Sequence, residues 1–134
     1  MQKLEKRIKN FCQKKDEIIF VYLFGSYSEN KQNSKSDLDL AIYFKKPDKI
    51  SLTELNYELS KLLSIDKIDI VVLNKASILM QFRVIQRGKL VYCKDEITRI
   101  RYEAKIMSLY YDRQYYYHRH IRENLKRIAQ KGLE

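Results

Sequence analysis

Ile18-Ile19-Phe20-Val21-Tyr22-Leu23-Phe24-Gly25-Ser26, ten further residues, and then Asp37-Leu38-Asp39-Leu40-Ala41-Ile42 form the stretch that decides the fold. The first seven residues are β-branched, aromatic or aliphatic throughout, the pattern of a strand buried on both faces, and Gly25 ends it. From Ser26 to Ser36 polar residues run without an apolar period, as in a loop or a loop leading into a helix start. Leu38, Leu40, Ile42 and Tyr43 then mark a second strand, closed by Lys45-Lys46-Pro47-Asp48.

Upstream, Leu4, Ile8, Phe11 and Cys12 recur at helical spacing, so the first fifteen residues read as an amphipathic helix leaning on a sheet. Downstream, Ser51 stands three residues before Glu54, a capping-box spacing, and Leu52, Leu55, Leu59, Leu62 and Leu63 give the following helix its apolar face. A third strand is expected over Ile68 to Leu73, a short helix over Ala76 to Gln86 ended by Gly88, and a brief strand at Leu90-Val91-Tyr92. This order predicts an α/β (α+β) domain, a small mixed sheet flanked by helices.

From about Asp95 onward there is no Gly or Pro until Gly132, and a helix of that length would reach about 55 Å, beyond the core of so small a domain. Ile97, Ile100, Ala104, Met107 and Tyr111, continued by Gln114, His118, Ile121, Leu125 and Ile128, follow alternating steps of three and four. That seam predicts burial against another helix, through packing on a partner or through a break near Asp112 that makes a helix pair. The expected organisation is one domain, with a core over residues 1–94 and a helical tail over 95–134 that packs on the core and on a partner.

A chain of 134 residues can bury a core without disulfide or metal staples. No apolar run approaches the roughly 20 residues of a membrane span, and the N-terminus shows no secretory pattern, so a cytoplasmic protein is expected. Cys12 and Cys93 lack the neighbours of a zinc site or disulfide framework and are expected to be reduced and buried. The formal net charge of +10, concentrated before Lys15 and after Arg99, favours polyanionic or acidic partners without choosing among them. No helix-turn-helix, zinc-finger or ribonucleoprotein motif accompanies it, so direct nucleic-acid binding is not expected.

The chemistry is expected from three carboxylates. Asp37 and Asp39 alternate with Leu38 and Leu40, which turns both carboxylates to one face about 6.6 Å apart along the chain. Asp is unfavourable in strands and two neighbouring carboxylates repel, an arrangement that a cation between them would resolve. Mg²⁺ suits it, taking one or two carboxylates and completing its shell with water and phosphate. Asp69, enclosed by Ile68, Ile70 and Val71 in a strand expected beside the second, also demands a partner. With two ions about 3.5–4 Å apart, Asp37 and Asp39 would bridge them while Asp69 binds one and receives the proton of an attacking hydroxyl. Gly25 lets backbone approach a phosphate, and the Ser26 hydroxyl and nearby amides can donate to it. Asp66, among Ser64 and Lys67, reads as a turn residue rather than the third ligand.

Leu23-Phe24-Gly25-Ser26, Ser36-Asp37-Leu38-Asp39-Leu40-Ala41-Ile42 and Ile68-Asp69-Ile70-Val71 together resemble the signature of the DNA polymerase β-like nucleotidyltransferase superfamily. The likeness is strongest to its minimal members, the antitoxins of HEPN/MNT (type VII) toxin–antitoxin pairs, and covers roughly the first 75 residues. The resemblance implies a polymerase β-like fold and a protein adenylyltransferase that moves AMP from ATP, with Mg²⁺, onto a tyrosine of a cognate HEPN ribonuclease toxin and so silences it. Gly25, Ser26, Asp37, Asp39 and Asp69 match the family pattern. Ser28-Glu29-Asn30 departs from it, standing where the family often has a small residue, a base and Gly. Asn30 tolerates positive φ, and Lys31 or Lys35 is the base left for the phosphates, so the nucleotide-binding set is Gly25, Ser26, Lys35 and Ser36.

Two rivals stand beside this reading: transfer of a nucleotide to a small hydroxyl compound such as an aminoglycoside, and a mainly non-catalytic module that binds a toxin through its basic, Tyr-rich tail. Arg113 and His118 repeat the Arg-x4-His spacing of HEPN ribonucleases, and on a tail helix rich in Arg and Tyr they read as a chance match.

Overall fold

The computed structural model describes residues 2–25 and 38–132. In chain order the elements are α1 (Gln2–Gln13), β1 (Ile18–Phe24), β2 (Leu38–Phe44), α2 (Leu52–Leu63), β3 (Ile68–Val72), α3 (Ile78–Arg87), β4 (Lys89–Cys93) and α4 (Glu96–Gly132), with 3₁₀ turns at Pro47–Lys49 and Leu73–Lys75. The four strands form one mixed sheet in the order β3-β2-β1-β4. β1 is antiparallel to both β2 and β4, whereas β2 and β3 run parallel and are joined by α2, the crossover that a parallel pair requires.

Each face of the sheet carries its own apolar layer. On one face, Leu38, Leu40, Ile42 and Phe44 of β2 meet Ile8 and Cys12 of α1 and Leu55, Leu59 and Leu63 of α2. On the other, Phe20 and Tyr22 of β1 and Ala41 of β2 meet Phe82 and Val84 of α3 and Tyr102 and Ile106 of α4. β1 serves both layers because its side chains alternate, Val21 and Leu23 to one and Phe20 and Tyr22 to the other, and the register shift between Ile18 and Phe20 puts Ile19 on the Phe20 side. Every large apolar side chain taken fully out of water contributes about 1.5–3 kcal/mol, so the two central strands β1 and β2, each with five buried residues, carry much of the stability.

The helix ends follow their sequences. Ser51 caps α2 by accepting a hydrogen bond from the Glu54 amide, and Ser64 closes it at a left-handed φ of 55°. Ser77 caps α3 through the Met80 amide at 3.1 Å, so this helix starts at Ile78 rather than at the expected Ala76. Leu73, expected as the last residue of β3, instead opens a 3₁₀ turn. There the Asn74 amide group pairs with both the N–H and the C=O of Phe44, continuing the ladder of β2 where β3 has ended.

Gly88 ends α3 without a left-handed cap, since its φ is −75°. Glycine is needed there for space: a β-carbon would stand 2.5 Å from the Val84 carbonyl oxygen and 3.3 Å from Tyr22 Cβ. Of the two cysteines expected to be buried, Cys12 is, while Cys93 at the end of β4 is only partly so.

α4 runs unbroken for 37 residues, with no interruption at Asp112. Its first four turns are fastened to the sheet. The Tyr102 ring packs 5.2 Å from Phe20 and 5.0 Å from Tyr43, and its hydroxyl donates to buried Gln81 Oε1 at 2.6 Å. The Tyr22 hydroxyl donates to Glu103, which Arg99 also holds at 3.1 Å, and Tyr110 stacks on Phe82 with centroids 3.7 Å apart. No described helix is long and apolar enough to cross a membrane.

Candidate active site at the carboxylate end of the sheet

β2 points Leu38, Leu40 and Ile42 into the α1/α2 layer, so alternation sends Asp39 to the opposite face, in line with Ala41 and Tyr43. β3 repeats the pattern, with Ile68 and Ile70 inward to the same layer and Asp69 on the Asp39 side. The parallel register pairs Asp39 with Asp69 directly, and neighbouring strands lie about 4.8 Å apart, so the two carboxylates stand side by side at the start of their strands. On its other flank Asp39 faces Phe24, the last residue of β1.

Gly25 follows at once, at φ +76°, where a β-carbon would lie 2.3 Å from Asp39 Oδ2. Glycine is thus required twice, for the left-handed turn and for the room it leaves beside the carboxylate. Asp39 is partly buried, whereas Asp69 is exposed rather than enclosed as its apolar neighbours suggested. The reason is strand order: β3 is an edge strand, and the apolar layer of α3 and α4 is built mainly on β1 and β2.

Two hydrogen bonds fix the start of β3. The Leu38 amide donates to the Lys67 carbonyl at 3.2 Å, and the Asn56 side-chain amide of α2 donates to the Ile68 carbonyl at 2.6 Å, with Ser60 donating in turn to Asn56 Oδ1. Asn56 was not singled out from the sequence. Its signal was a polar residue amid the leucine period of α2, which is weak without knowledge of which strand lies beneath.

Asp37, Ser26, Lys35 and Ser36 of the expected site, with Glu29 of the divergent loop, lie outside the described residues. Among the described residues, no three His, Cys, Asp or Glu side chains gather into a metal-binding group. The described pair is all-oxygen and doubly anionic, a donor set that fits a hard divalent cation such as Mg²⁺ rather than zinc. Asp66, by contrast, is an exposed bend residue ahead of β3, as expected. A cleft of about 390 Å³ lined by Asp16, Glu17, Lys45, Lys46, Lys49 and Ile50 lies at the far end of the strands from Asp39. That cleft holds neither Asp39 nor Asp69, another of about 560 Å³ lined by Asn56, Ser60 and Asp66 lies nearer the start of β3, and the carboxylates carry the argument.

Residues 6–97 match the family described as polymerase beta, nucleotidyltransferase, which covers more than half of the chain. The chain belongs to this nucleotidyltransferase family. Among curated relatives of this nucleotidyltransferase, the protein adenylyltransferase MntA of Shewanella oneidensis is 33% identical over 91 residues, 67% of this chain and 64% of MntA. A candidate protein adenylyltransferase of Methanocaldococcus jannaschii is 37% identical over 65 residues, 48% of this chain and 65% of that protein. The nucleotidyltransferase thus spans just under two thirds of the length of either relative. In structure it resembles a chain of a toxin–antitoxin crystal structure with AMP-PNP, at a TM-score of 0.71 and 29% identity, covering 82% of this chain and 89% of that one. It also resembles a chain in the complex of tri-AMPylated Shewanella oneidensis HEPN toxin with MNT antitoxin, at a TM-score of 0.63 and 28% identity, covering 85% and 90%.

Proposed function

We propose that this nucleotidyltransferase is an antitoxin: a Mg²⁺-dependent protein adenylyltransferase that moves AMP from ATP to a tyrosine of a cognate HEPN toxin in the cytoplasm. The observation that carries the proposal is the direct register of Asp39 with Asp69 behind the left-handed Gly25, in a chain of this family. The adenylyltransferase relatives and the likeness to chains of AMP-PNP-bound and AMPylated toxin–antitoxin complexes favour a protein acceptor over a small hydroxyl compound.

In this proposal Asp37, Asp39 and Asp69 hold two Mg²⁺ ions, which when bound neutralise the triphosphate and the charge that develops at the α-phosphorus. Gly25 and Ser26 bring backbone amides and a hydroxyl to the phosphates, with Lys35 and Ser36 beside them. The phenol oxygen of the toxin tyrosine attacks the α-phosphorus in line, the bond to the bridging oxygen of the β-phosphate breaks, and pyrophosphate leaves. In this reading Asp69, exposed on the edge strand, accepts the phenol proton, while Asp39, partly buried, lies beside Gly25. The core over residues 1–94 performs the transfer. The tail over 95–134 docks the toxin through exposed Tyr115, Tyr116 and Tyr117 and the arginines near them.

The test is incubation of the protein with α-labelled ATP, Mg²⁺ and the toxin encoded beside it. Label on a toxin tyrosine, lost with Asp39→Asn, is the expected result. Label on a small hydroxyl compound alone, or inhibition of the toxin with no label, would replace this reading.

A further inference from the structure

Between α4 and the start of α3, on the sheet face that carries Asp39 but at the other end of the strands, lies a cavity of about 470 Å³, within the range of small-molecule sites. Its floor is aromatic. Tyr43 stacks on Phe20 with centroids 4.7 Å apart, Tyr102 leans on both, and Ile78, Ile106 and Leu109 add aliphatic wall. Tyr43 is only partly buried and also borders an adjoining cavity of about 490 Å³. Ala41, which stands between Asp39 and Tyr43 on this face of β2, is fully buried with Phe82 and Val84 of α3. α3 therefore separates the cavity from the carboxylates, and Tyr43 stands about 13 Å along β2 from Asp39.

Arg101 and Lys105 stand at the mouth, one helical turn apart on the same side of α4, and both are exposed. Among the described residues neither pairs with a carboxylate, whereas Lys89, Lys94, Arg99 and Arg119 all do. The neutral polar groups of the lining are already engaged. Asn74 pairs with both backbone groups of Phe44, Gln81 bonds the Ala76 carbonyl and the Tyr102 hydroxyl, and the Thr98 hydroxyl donates to Asp95. A peptide would bring amides that find no partner among them. A planar ring joined to a compact anion meets what is left, an aromatic floor and two free cations. We propose that this cavity is a second nucleotide site, which takes a nucleoside monophosphate with its base on Tyr43 and its phosphate on Arg101 and Lys105. A monophosphate carries a charge of about −1.5 to −2, which two cations match and a triphosphate exceeds. Stacking tolerates any base, so the cations set the selectivity. The site needs neither a metal nor the transfer step, and it stands apart from the proposed reaction.

The experiment is photolabelling of the full chain with azido-AMP in EDTA, with the labelled residues located by fragmentation. Saturable label is expected on Tyr43 or Tyr102, displaced by AMP and far less well by adenosine. Arg101→Glu/Lys105→Glu should weaken binding by roughly tenfold or more with an unchanged melting temperature, since both side chains are exposed and unpaired, while Arg101→Lys/Lys105→Arg keeps it. Label confined to the residues around Gly25 and Asp39 overturns the proposal, as does the absence of saturable label. So does adenosine that competes as well as AMP, wild-type binding in the charge-reversed variant, or displacement by a short RNA but not by AMP.

Discussion

Gly25 couples the backbone to the chemistry, because the side chain it lacks would collide with the Asp39 carboxylate. Gly25→Ala is expected to cost about 1–2 kcal/mol from the left-handed backbone alone, read by urea denaturation. Transfer activity should fall much further at temperatures where the variant is folded, because the added methyl displaces Asp39. Cys12 supplies a second test at this scale. Burial pushes its thiol from 9.0 up to about 12, and an acid whose pKa is raised by folding adds stability that is whole below the unfolded pKa and is lost as pH rises. Stability should therefore decline above pH 9, by up to about 1.4 kcal/mol per pH unit from this thiol. Tyr22, raised by burial and by its bond to Glu103, adds a further decline above about pH 10. Replacing Cys12 with Ala should remove the part of the slope that begins at pH 9. Asp39 and Asp69 stood out in the sequence because Asp is a poor choice within a strand, and Gly25 because it ends an apolar run, where the structure gives it a left-handed φ. Asn56, which ties α2 to the residue before Asp69, did not, since its meaning depends on a neighbour 12 positions away.

Strands and helices were legible where one periodicity ruled. The unbroken apolar run of β1 and the alternation of β2 gave both elements, and the Ser51 cap appears where its spacing put it. α4 was read only in part, because a single helix holds two stripes and the longer, heptad one is not the one its own domain buries. The domain chose Tyr102 and its neighbours for polar as well as apolar reasons. Tyr102→Phe would leave buried Gln81 Oε1 without its donor and is expected to cost about 1–3 kcal/mol in chemical denaturation. Gly88 was read as the end of α3, which it is, but the reason, close packing of α3 on Tyr22, was not visible in the sequence.

For the whole molecule, the apolar layers end near Tyr110, and the rest of α4 projects beyond them. Ending the chain after Arg113 should therefore leave the thermal unfolding of the core within about 0.5 kcal/mol of the full chain, the usual scatter for surface changes. Toxin inhibition should weaken in the same variant if docking uses the tail. Strand order was the feature least visible in the sequence. Apolar runs show that strands exist but not which one is left at the edge, and that placement exposes Asp69 while keeping it in register with Asp39. The account depends on these two carboxylates acting as one cation site. Its most direct test is Mn²⁺ binding in the presence of AMP-PNP, followed by paramagnetic relaxation of water protons for the wild type, Asp39→Asn and Asp69→Asn. Both variants should stay folded and lose affinity by more than roughly tenfold; wild-type affinity in Asp69→Asn would contradict the shared site.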